Sequence, residues 1–116
     1  MNNLIETAFT DFKVNNKSIP VSFLKYEGKE TTYITYQNIS IDGSLNGDDE
    51  LIGYYDYYDF DIYSKGNYFA IVREVKKVLE EAGFIWCPSM SSGDMFEDDT
   101  GYYHKTLCFK KERMEE

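Results

Sequence analysis

Cysteine, proline and histidine are scarce in this chain. Its 116 residues include two cysteines, two prolines and one histidine. Cys87 and Cys108 form no CxxC pair and have no clustered histidines, so we expect no zinc site. A disulfide between them is geometrically possible if they flank neighbouring strands. Free cysteine also packs well as a small apolar residue, and we favour free thiols.

Basic residues and long apolar runs are also lacking. Lysine and arginine number 12 against 21 acidic residues, which gives a formal net charge of −9. Such a chain repels a phosphate backbone, so we expect no sequence-specific nucleic-acid partner. Acidity suits solubility or a partner with a basic patch. No apolar run approaches the roughly 20 residues that span a bilayer, and no signal peptide is visible. A cytoplasmic protein without a membrane partner is the resulting expectation.

Tyrosine, by contrast, is abundant, with 11 Tyr beside 8 Phe. A tyrosine ring can be buried while its hydroxyl stays wet, so an excess of tyrosine indicates an interface. The length predicts a single domain over residues 1–116.

Hydrophobic periodicity predicts two helices, Asn3–Lys13 and Asn67–Ala82, and Gly83 stands where a left-handed C-cap belongs. Their apolar stripes consist of Leu4, Ile5, Ala8, Phe9 and Phe12 in the first helix, and Tyr68, Ile71, Val72, Val75, Val78, Leu79 and Ala82 in the second.

β-branched and aromatic runs predict the strands. These are Val21–Tyr26, Thr31–Ile41, Leu51–Ser64, the short Phe84–Cys87 and Gly101–Lys111. Polar and glycine-containing stretches predict a turn at residues 15–17, two long loops at Asp42–Glu50 and Pro88–Thr100, and a frayed end from Met114 to Glu116.

The order α-β-β-β-α-β, with short turns between consecutive strands, favours antiparallel pairing. We predict an α+β fold in which an antiparallel or mixed β-sheet is covered on one face by two α-helices. The other sheet face must then meet solvent or a partner. The residues expected to be buried together are Leu4, Phe9, Phe12, Ile71, Val72, Val75 and Leu79.

Three aspartates of the long aromatic strand invite a metal interpretation. Asp59 and Asp61 share one strand face, whereas Asp56 points the other way. Hard cations need several converging oxygens, so a solvated or interfacial face is the better interpretation.

The preceding stretch, Asp42–Gly53, resembles part of a calcium loop, with Asp42, Ser44 and Asn46 followed by Gly47. Gly53 stands where a bidentate glutamate should close the site, so we expect no tight calcium binding.

Catalytic groups are few. His104 and Cys108 lie four residues apart on one strand, roughly 13 Å by strand rise, which is too far for an activated dyad. No GxxxxGK or GxGxxG phosphate loop occurs. We therefore expect no enzymatic activity, no cofactor and no metal.

Four segments carry a resemblance to a known family. They are Tyr33-Ile34-Thr35-Tyr36 with its following Gly-Asp-Asp loop, Tyr58-Asp59-Phe60-Asp61-Ile62-Tyr63-Ser64-Lys65, the helix ending Val75-Lys76-Lys77-Val78-Leu79-Glu80-Glu81-Ala82-Gly83-Phe84, and the final strand Gly101 to Lys111. In this order they resemble the small tail-completion, or tail-terminator, proteins of long-tailed bacteriophages and prophages.

The resemblance implies a structural virion-assembly protein, present in the host bacterial cytoplasm and then in the virion. Such proteins are small α+β domains that form a ring, typically a hexamer, which caps the tail tube and joins it to the head. The implied partners are further copies of the chain, the tail tube and head-completion proteins. Two alternatives stay open: another head–tail connector component, or a small acidic inhibitor-like domain that binds a basic partner.

Self-association is expected to use the edge of the strand Leu51–Ser64 and the two acidic loops, because a long aromatic strand is poorly suited to solvent. The candidate interface residues are Tyr54, Tyr55, Tyr57, Tyr58, Asp48, Asp49, Glu97, Asp98 and Asp99.

Overall fold

The fold consists of two helices and a mixed sheet, and it belongs to the α+β class. The computed structural model describes residues 2–47 and 50–114, with side chains for residues 3–39 and 55–112. The helices are α1 (Asn2–Ala8), α2 (Phe69–Glu81) and a short 3-10 helix, Pro88–Met90. The strands are β1 (Lys13–Val14), β2 (Lys17–Ser18), β3 (Val21–Phe23), β4 (Tyr33–Gly47), β5 (Glu50–Ser64), β6 (Ile85–Trp86), β7 (Met95–Glu97) and β8 (Tyr102–Met114).

The main sheet has the strand order β3-β4-β5-β8-β6, and β7 also pairs with β8. β5 is therefore central: β4 lies antiparallel on one side and β8 antiparallel on the other. The expectation that β5 offers a free edge for self-association is wrong. Its two neighbours pair with it along nearly its whole length, so its backbone groups are already used.

Both helices contribute to one core on the same sheet face. Alternate residues of the strands point to this face, including Tyr36, Phe60 and Leu107. The predicted buried set is confirmed for Phe9, Phe12, Ile71, Val75 and Leu79, whereas Leu4 and Val72 are only partly buried at its margin.

The first helix is shorter than predicted. It ends at Ala8, and the chain then tightens into turns in which the Thr10 amide donates to the Thr7 carbonyl at 3.2 Å. Asp11 has a φ of 53°, which no α-helix can contain. Phe9 and Phe12 therefore reach the core from turns.

A small hairpin of β1 and β2 follows α1. The sequence pattern did not predict its two short strands. Its turn residues Asn15 and Asn16 have φ values of 52° and 67°, the left-handed pair that a two-residue hairpin requires. The turn predicted at residues 15–17 is thus confirmed, and asparagine suits it because it tolerates this region.

The second helix matches its prediction closely. Its stripe residues Ile71, Val75 and Leu79 are buried. The Asn67 side chain accepts a hydrogen bond from the Phe69 amide at 2.9 Å, which places the helix start two residues after the predicted one.

Gly83 ends this helix with a φ of 94°, as predicted. The Gly83 amide donates to the Glu80 carbonyl and the Phe84 amide to the Leu79 carbonyl, at 3.0 and 2.9 Å. These two bonds are those of a Schellman cap.

Gly83→Ala should lower the free energy of unfolding by about 1–2 kcal/mol, because a Cβ is unfavourable in the left-handed region. That Cβ would also lie 2.7 Å from the flexible Lys111 ammonium, which would have to move. Gly93→Ala is the control, since nothing lies within 4 Å of its added carbon. Urea unfolding of both variants provides the measurement, and equal losses would contradict the cap.

The pairing of β3 with β4 is parallel, which corrects the antiparallel expectation. β3 also stops at Phe23, three residues early, because Leu24 has a φ of 68° and turns the chain away. The residues between Leu24 and Tyr33 then carry the chain back alongside, so that both strands run the same way.

The predicted loop Asp42–Glu50 is largely strand. Residues up to Gly47 continue β4 and pair with β5, with irregularities at Ile39, between Asp42 and Leu45, and at Ile52. Most of the partial calcium loop therefore lies in two strands rather than in a loop. Asp48 and Asp49 lie outside the described residues.

The strands extend well beyond the helices. Fifteen residues of β5 span about 50 Å, which agrees with the longest dimension of 51 Å, whereas α2 spans only about 20 Å. The far end of the β4–β5 ribbon, residues 40–47 and 50–54, therefore projects past the helical layer.

Candidate interaction surfaces

The helix-free sheet face is the first candidate surface. Strand alternation places Tyr55, Tyr57, Asp59, Asp61 and Tyr63 on it, all of them half-buried. This confirms that Asp59 and Asp61 share a face and that Asp56, which is buried, lies on the helical side. The register brings polar and aromatic partners beside them, namely Tyr33, Thr35 and Gln37 from β4, and His104, Thr106, Cys108 and Lys110 from β8.

A row of stacked rings crosses this face. Tyr33 stacks on Tyr26 and on Tyr63, with ring centroids 4.7 and 4.9 Å apart, and Tyr63 stacks on His104 at 4.2 Å. Tyr102 packs edge-on against Tyr63. Burial raises the pKa of Tyr63 to about 12, and the nearby Asp61 charge adds to the rise. Because these rings already cover one another's faces, the row suits a preformed protein contact better than stacking on a sugar or base.

His104 is held by a carboxylate and not by the distant thiol. Its Nε2 lies 3.0 Å from Asp61 Oδ1, and the Thr106 hydroxyl donates to the same oxygen at 2.5 Å. The sequence indicated neither contact, because the partners lie on different strands. The arrangement orients the ring within the stack. The Thr106 hydroxyl also lies 3.5 Å from His104 Nε2 but makes its shorter hydrogen bond to Asp61.

Asp59 and Cys108 form a second pair on this face. Burial raises the pKa of the Asp59 carboxyl, the Asp61 charge adds to the rise, and the Cys108 thiol opposes it. One Asp59 oxygen is buried without a hydrogen-bond partner among the described residues. Burial and the Asp59 charge raise the pKa of Cys108 to about 12. A thiol of that pKa stays protonated at neutral pH, so it does not act as a nucleophile.

Asp59→Asn should stabilise the protein at pH 7. Folding raises the pKa of Asp59, so ionising this carboxyl costs more in the native state than in the unfolded chain. Its ionisation therefore destabilises the native state progressively as pH rises above the ordinary pKa of aspartate and through the raised pKa. The melting temperature of the variant should therefore exceed that of the original chain at pH 7, and the difference should close near pH 3. Asp98→Asn, in an exposed turn, controls for the loss of one negative charge. A difference that is independent of pH would contradict this account.

Within the described part of the chain, no group of three or more histidine, cysteine, aspartate or glutamate side chains could hold a metal ion. Cys87 and Cys108 are free thiols. No described helix has the length and apolar character needed to traverse a lipid bilayer.

The outer edge of β8 is covered from Tyr102 to Lys110, in large part by the predicted loop Pro88–Thr100. β6 pairs with Phe109 and Lys110 and β7 pairs with Tyr102 to His104, so part of that loop is strand. Between them the side chains of Ser91 and Ser92 accept hydrogen bonds from the Cys108 and Thr106 amides, at 2.9 and 2.8 Å. The serines therefore substitute for a missing strand and cover the edge.

Asp94 anchors the end of this segment. Its carboxylate accepts a short hydrogen bond from the Tyr68 hydroxyl and lies 3.4 Å from the Lys105 ammonium. The Tyr68 hydrogen bond, followed by the Lys105 charge, lowers the pKa of Asp94 despite an opposing effect of burial. The edge cover is thus tied to the start of α2.

Two exposed apolar patches lie on opposite rims of the sheet. The β3 patch consists of Phe23 and Leu24, which are 44% and 59% exposed. The β7 patch consists of Phe69, Phe96 and Tyr103, which are 64%, 52% and 40% exposed. The sequence pattern predicted neither of these exposed patches. The available signal was Phe96, an isolated aromatic ring beside acidic residues, which no core-forming pattern explains.

The predicted interface residues are divided among several places. Tyr55 and Tyr57 lie on the helix-free face, where the Lys110 ammonium stands 4.5 Å from the Tyr55 ring centre. The prediction that Tyr58 lies at an interface is wrong. Its side chain is 4% exposed and packs in the core, because strand alternation turns it to the helical side. Glu97, Asp98 and Asp99 are exposed in the β7–β8 turn. Asp48 and Asp49, and the side chain of Tyr54, lie outside the described residues.

Net negative charge is concentrated in the segment Thr31–Ser64, which contains β4 and β5. No lysine, arginine or histidine occurs from Thr31 to Ser64. The acidic residues of this stretch are Asp42, Asp48, Asp49, Glu50, Asp56, Asp59 and Asp61.

Comparisons of the chain with protein-family models and with curated proteins found no match.

Proposed function

We propose that this protein is a structural component of phage or prophage tail assembly, whose copies form a ring that caps the tail tube and joins it to the head. The resemblance of the strand–helix–glycine segments motivates the setting. The observation that carries the proposal is the pair of apolar patches on opposite rims of one sheet.

The placement of the patches suits head-to-tail association. The β3 and β7 patches are separated by four strand spacings, about 19 Å. A contact between the β3 patch of one copy and the β7 patch of the next is heterologous, and repeated rotation by the same operator closes a ring. In a two-fold dimer the same two patches would meet reciprocally within one pair, and the assembly would stop at two copies.

Leu24 is the strongest single indication that the β3 patch has a role beyond folding. It is an exposed leucine at a φ of 68°, so it gains little burial and occupies a region that disfavours a Cβ. Asparagine or glycine would suit this position better for stability alone. Selection for a contact surface explains why a leucine is kept there.

The acidic ribbon agrees with a role next to passing DNA. A chain with a net charge of −9 repels a phosphate backbone, so DNA would slide past it without sticking. In this proposal the protein has no catalytic task, and the stacked tyrosines of the helix-free face provide a rigid surface for docking.

Deletion of the coding sequence from the phage or lysogen that carries it tests the proposal. Electron microscopy of the lysate should show filled heads beside unjoined or overlong tails, and supplying the protein in trans should restore joined particles. Normal infectious particles in the deletion strain would overturn the proposal. Joined tails with defective heads would point to another connector component.

A further inference from the structure

The outer edge of β4 is open for most of its length. β3 pairs only with Ile34 to Tyr36, and the Leu24 amide donates the last hydrogen bond, to the Tyr36 carbonyl at 2.9 Å. In the part of the chain that the structure describes, no strand lies beside β4 from Gln37 to Gly47 on this side.

The direction of the backbone groups follows from alternation along the strand. The Ile34 amide and the Tyr36 carbonyl both point outward, to Pro20 and Leu24. The amide and carbonyl of Asn38 therefore point outward as well, whereas those of Gln37 point to β5. Asn38 offers one donor and one acceptor to an added strand.

This edge differs from the opposite one in its protection. From Tyr102 to Lys110 the β8 edge is covered by two short strands and two serine hydroxyls, so this part of it is closed to an added strand. The open part of β4 contains no proline and no lysine, two usual protections of an edge. The irregularities at Ile39 and between Asp42 and Leu45 divide it into short runs, which suits a reversible contact.

Charge decides what kind of strand the edge fits. β4 contains no lysine, arginine or histidine, its open part carries Asp42, and Asp48, Asp49 and Glu50 follow it in sequence, so like charges oppose the pairing of two such edges. A basic segment gains both backbone hydrogen bonds and charge complementarity. We propose that the β4 edge from Gln37 to Gly47 binds an extended segment of a partner protein, rich in lysine or arginine, which adds to the sheet as a further strand.

This inference deepens the proposed function by describing how the ring would hold a neighbouring tail or head protein, and it rests on that function only for the biological setting. The probe is a synthetic peptide of alternating lysine and valine, with alternating glutamate and valine as its control. The basic peptide should bind the full chain, should bind more weakly as salt is raised, and should slow hydrogen exchange of the Asn38 amide. The acidic peptide should not bind.

Asn38→Pro removes the outward donor and leaves the β5 ladder intact, since proline is tolerated on an edge strand. It should weaken binding of the basic peptide about tenfold or more while the melting temperature changes little, and Asn38→Ala, which keeps the amide, should bind normally. Unchanged binding by Asn38→Pro, or exchange protection confined to other strands, would overturn the inference. If Asn38→Pro does not fold, the exchange result on the unmodified chain decides.

The two proposals fail separately. Peptide binding at Asn38 by a protein whose deletion leaves normal particles would support the edge and overturn the tail function. Ring formation without any binding of the basic peptide would support the tail function and overturn the binding of a basic segment at the β4 edge.

Discussion

Phe60→Ala should lower the free energy of unfolding by about 3–5 kcal/mol, a large part of the ~5–15 kcal/mol that a domain of this size has. Phe60 is fully buried at the centre of the sheet's helical face. Its ring lies between 5.8 and 6.4 Å from the rings of Phe9, Tyr36, Tyr58, Phe84 and Phe109. The alanine variant would leave a cavity lined by rings from three strands and from the segments that follow α1 and α2, which cannot all move inward.

Two further variants make this experiment specific. Leu79→Ala, at a fully buried site on α2, should cost about 2–5 kcal/mol, and Phe69→Ala, at an exposed site on the same helix, should cost less than about 0.5 kcal/mol. Guanidinium unfolding followed by circular dichroism measures all three. A loss of unfolding free energy under about 1 kcal/mol for both Phe60→Ala and Leu79→Ala would contradict the burial of these two side chains in the core.

Self-association should be abolished by one substitution in either apolar patch. Leu24→Asn should keep or raise the melting temperature, because asparagine tolerates a φ near 68°, yet it removes the apolar side chain that the β3 patch presents. Phe96→Asp should leave the fold intact, because the ring is half-exposed, and should block the β7 patch. Sedimentation at high concentration or in the presence of tail tubes measures assembly.

Mixing the two variants tests whether the β3 patch of one copy contacts the β7 patch of another. Leu24→Asn keeps an intact β7 patch and Phe96→Asp keeps an intact β3 patch, so the mixture should form heterodimers and no larger ring. Lys77→Gln, at an exposed position of α2 outside both patches, provides a control that should assemble normally. Rings formed by either single variant, or a mixture that remains monomeric while the original chain assembles, would contradict head-to-tail contact between these patches.

Local sequence determined much of the fold. The apolar period of Ile71, Val75 and Leu79 together with Gly83 was sufficient to place α2 and its cap, because helix periodicity and left-handed glycine are properties of neighbouring residues. The long β5 was equally clear from its aromatic run. Alternation also separated Asp56 from Asp59 and Asp61, and the same alternation separates Tyr58 from Tyr57 once the covered face is known.

Only the tertiary structure decided which faces and edges are free. The Asp, Gly and Asn residues after Ile41 are typical of a loop, yet residues up to Gly47 form strand because the aromatic β5 pairs beside them. Ser91 and Ser92 lie in the predicted loop Pro88–Thr100 but cover the middle of the β8 edge. Leu24 and Phe96 become patches only because the strand order puts them on opposite rims. Pairing between strands distant in sequence depends on register and strand order, which the pattern of a single strand does not encode.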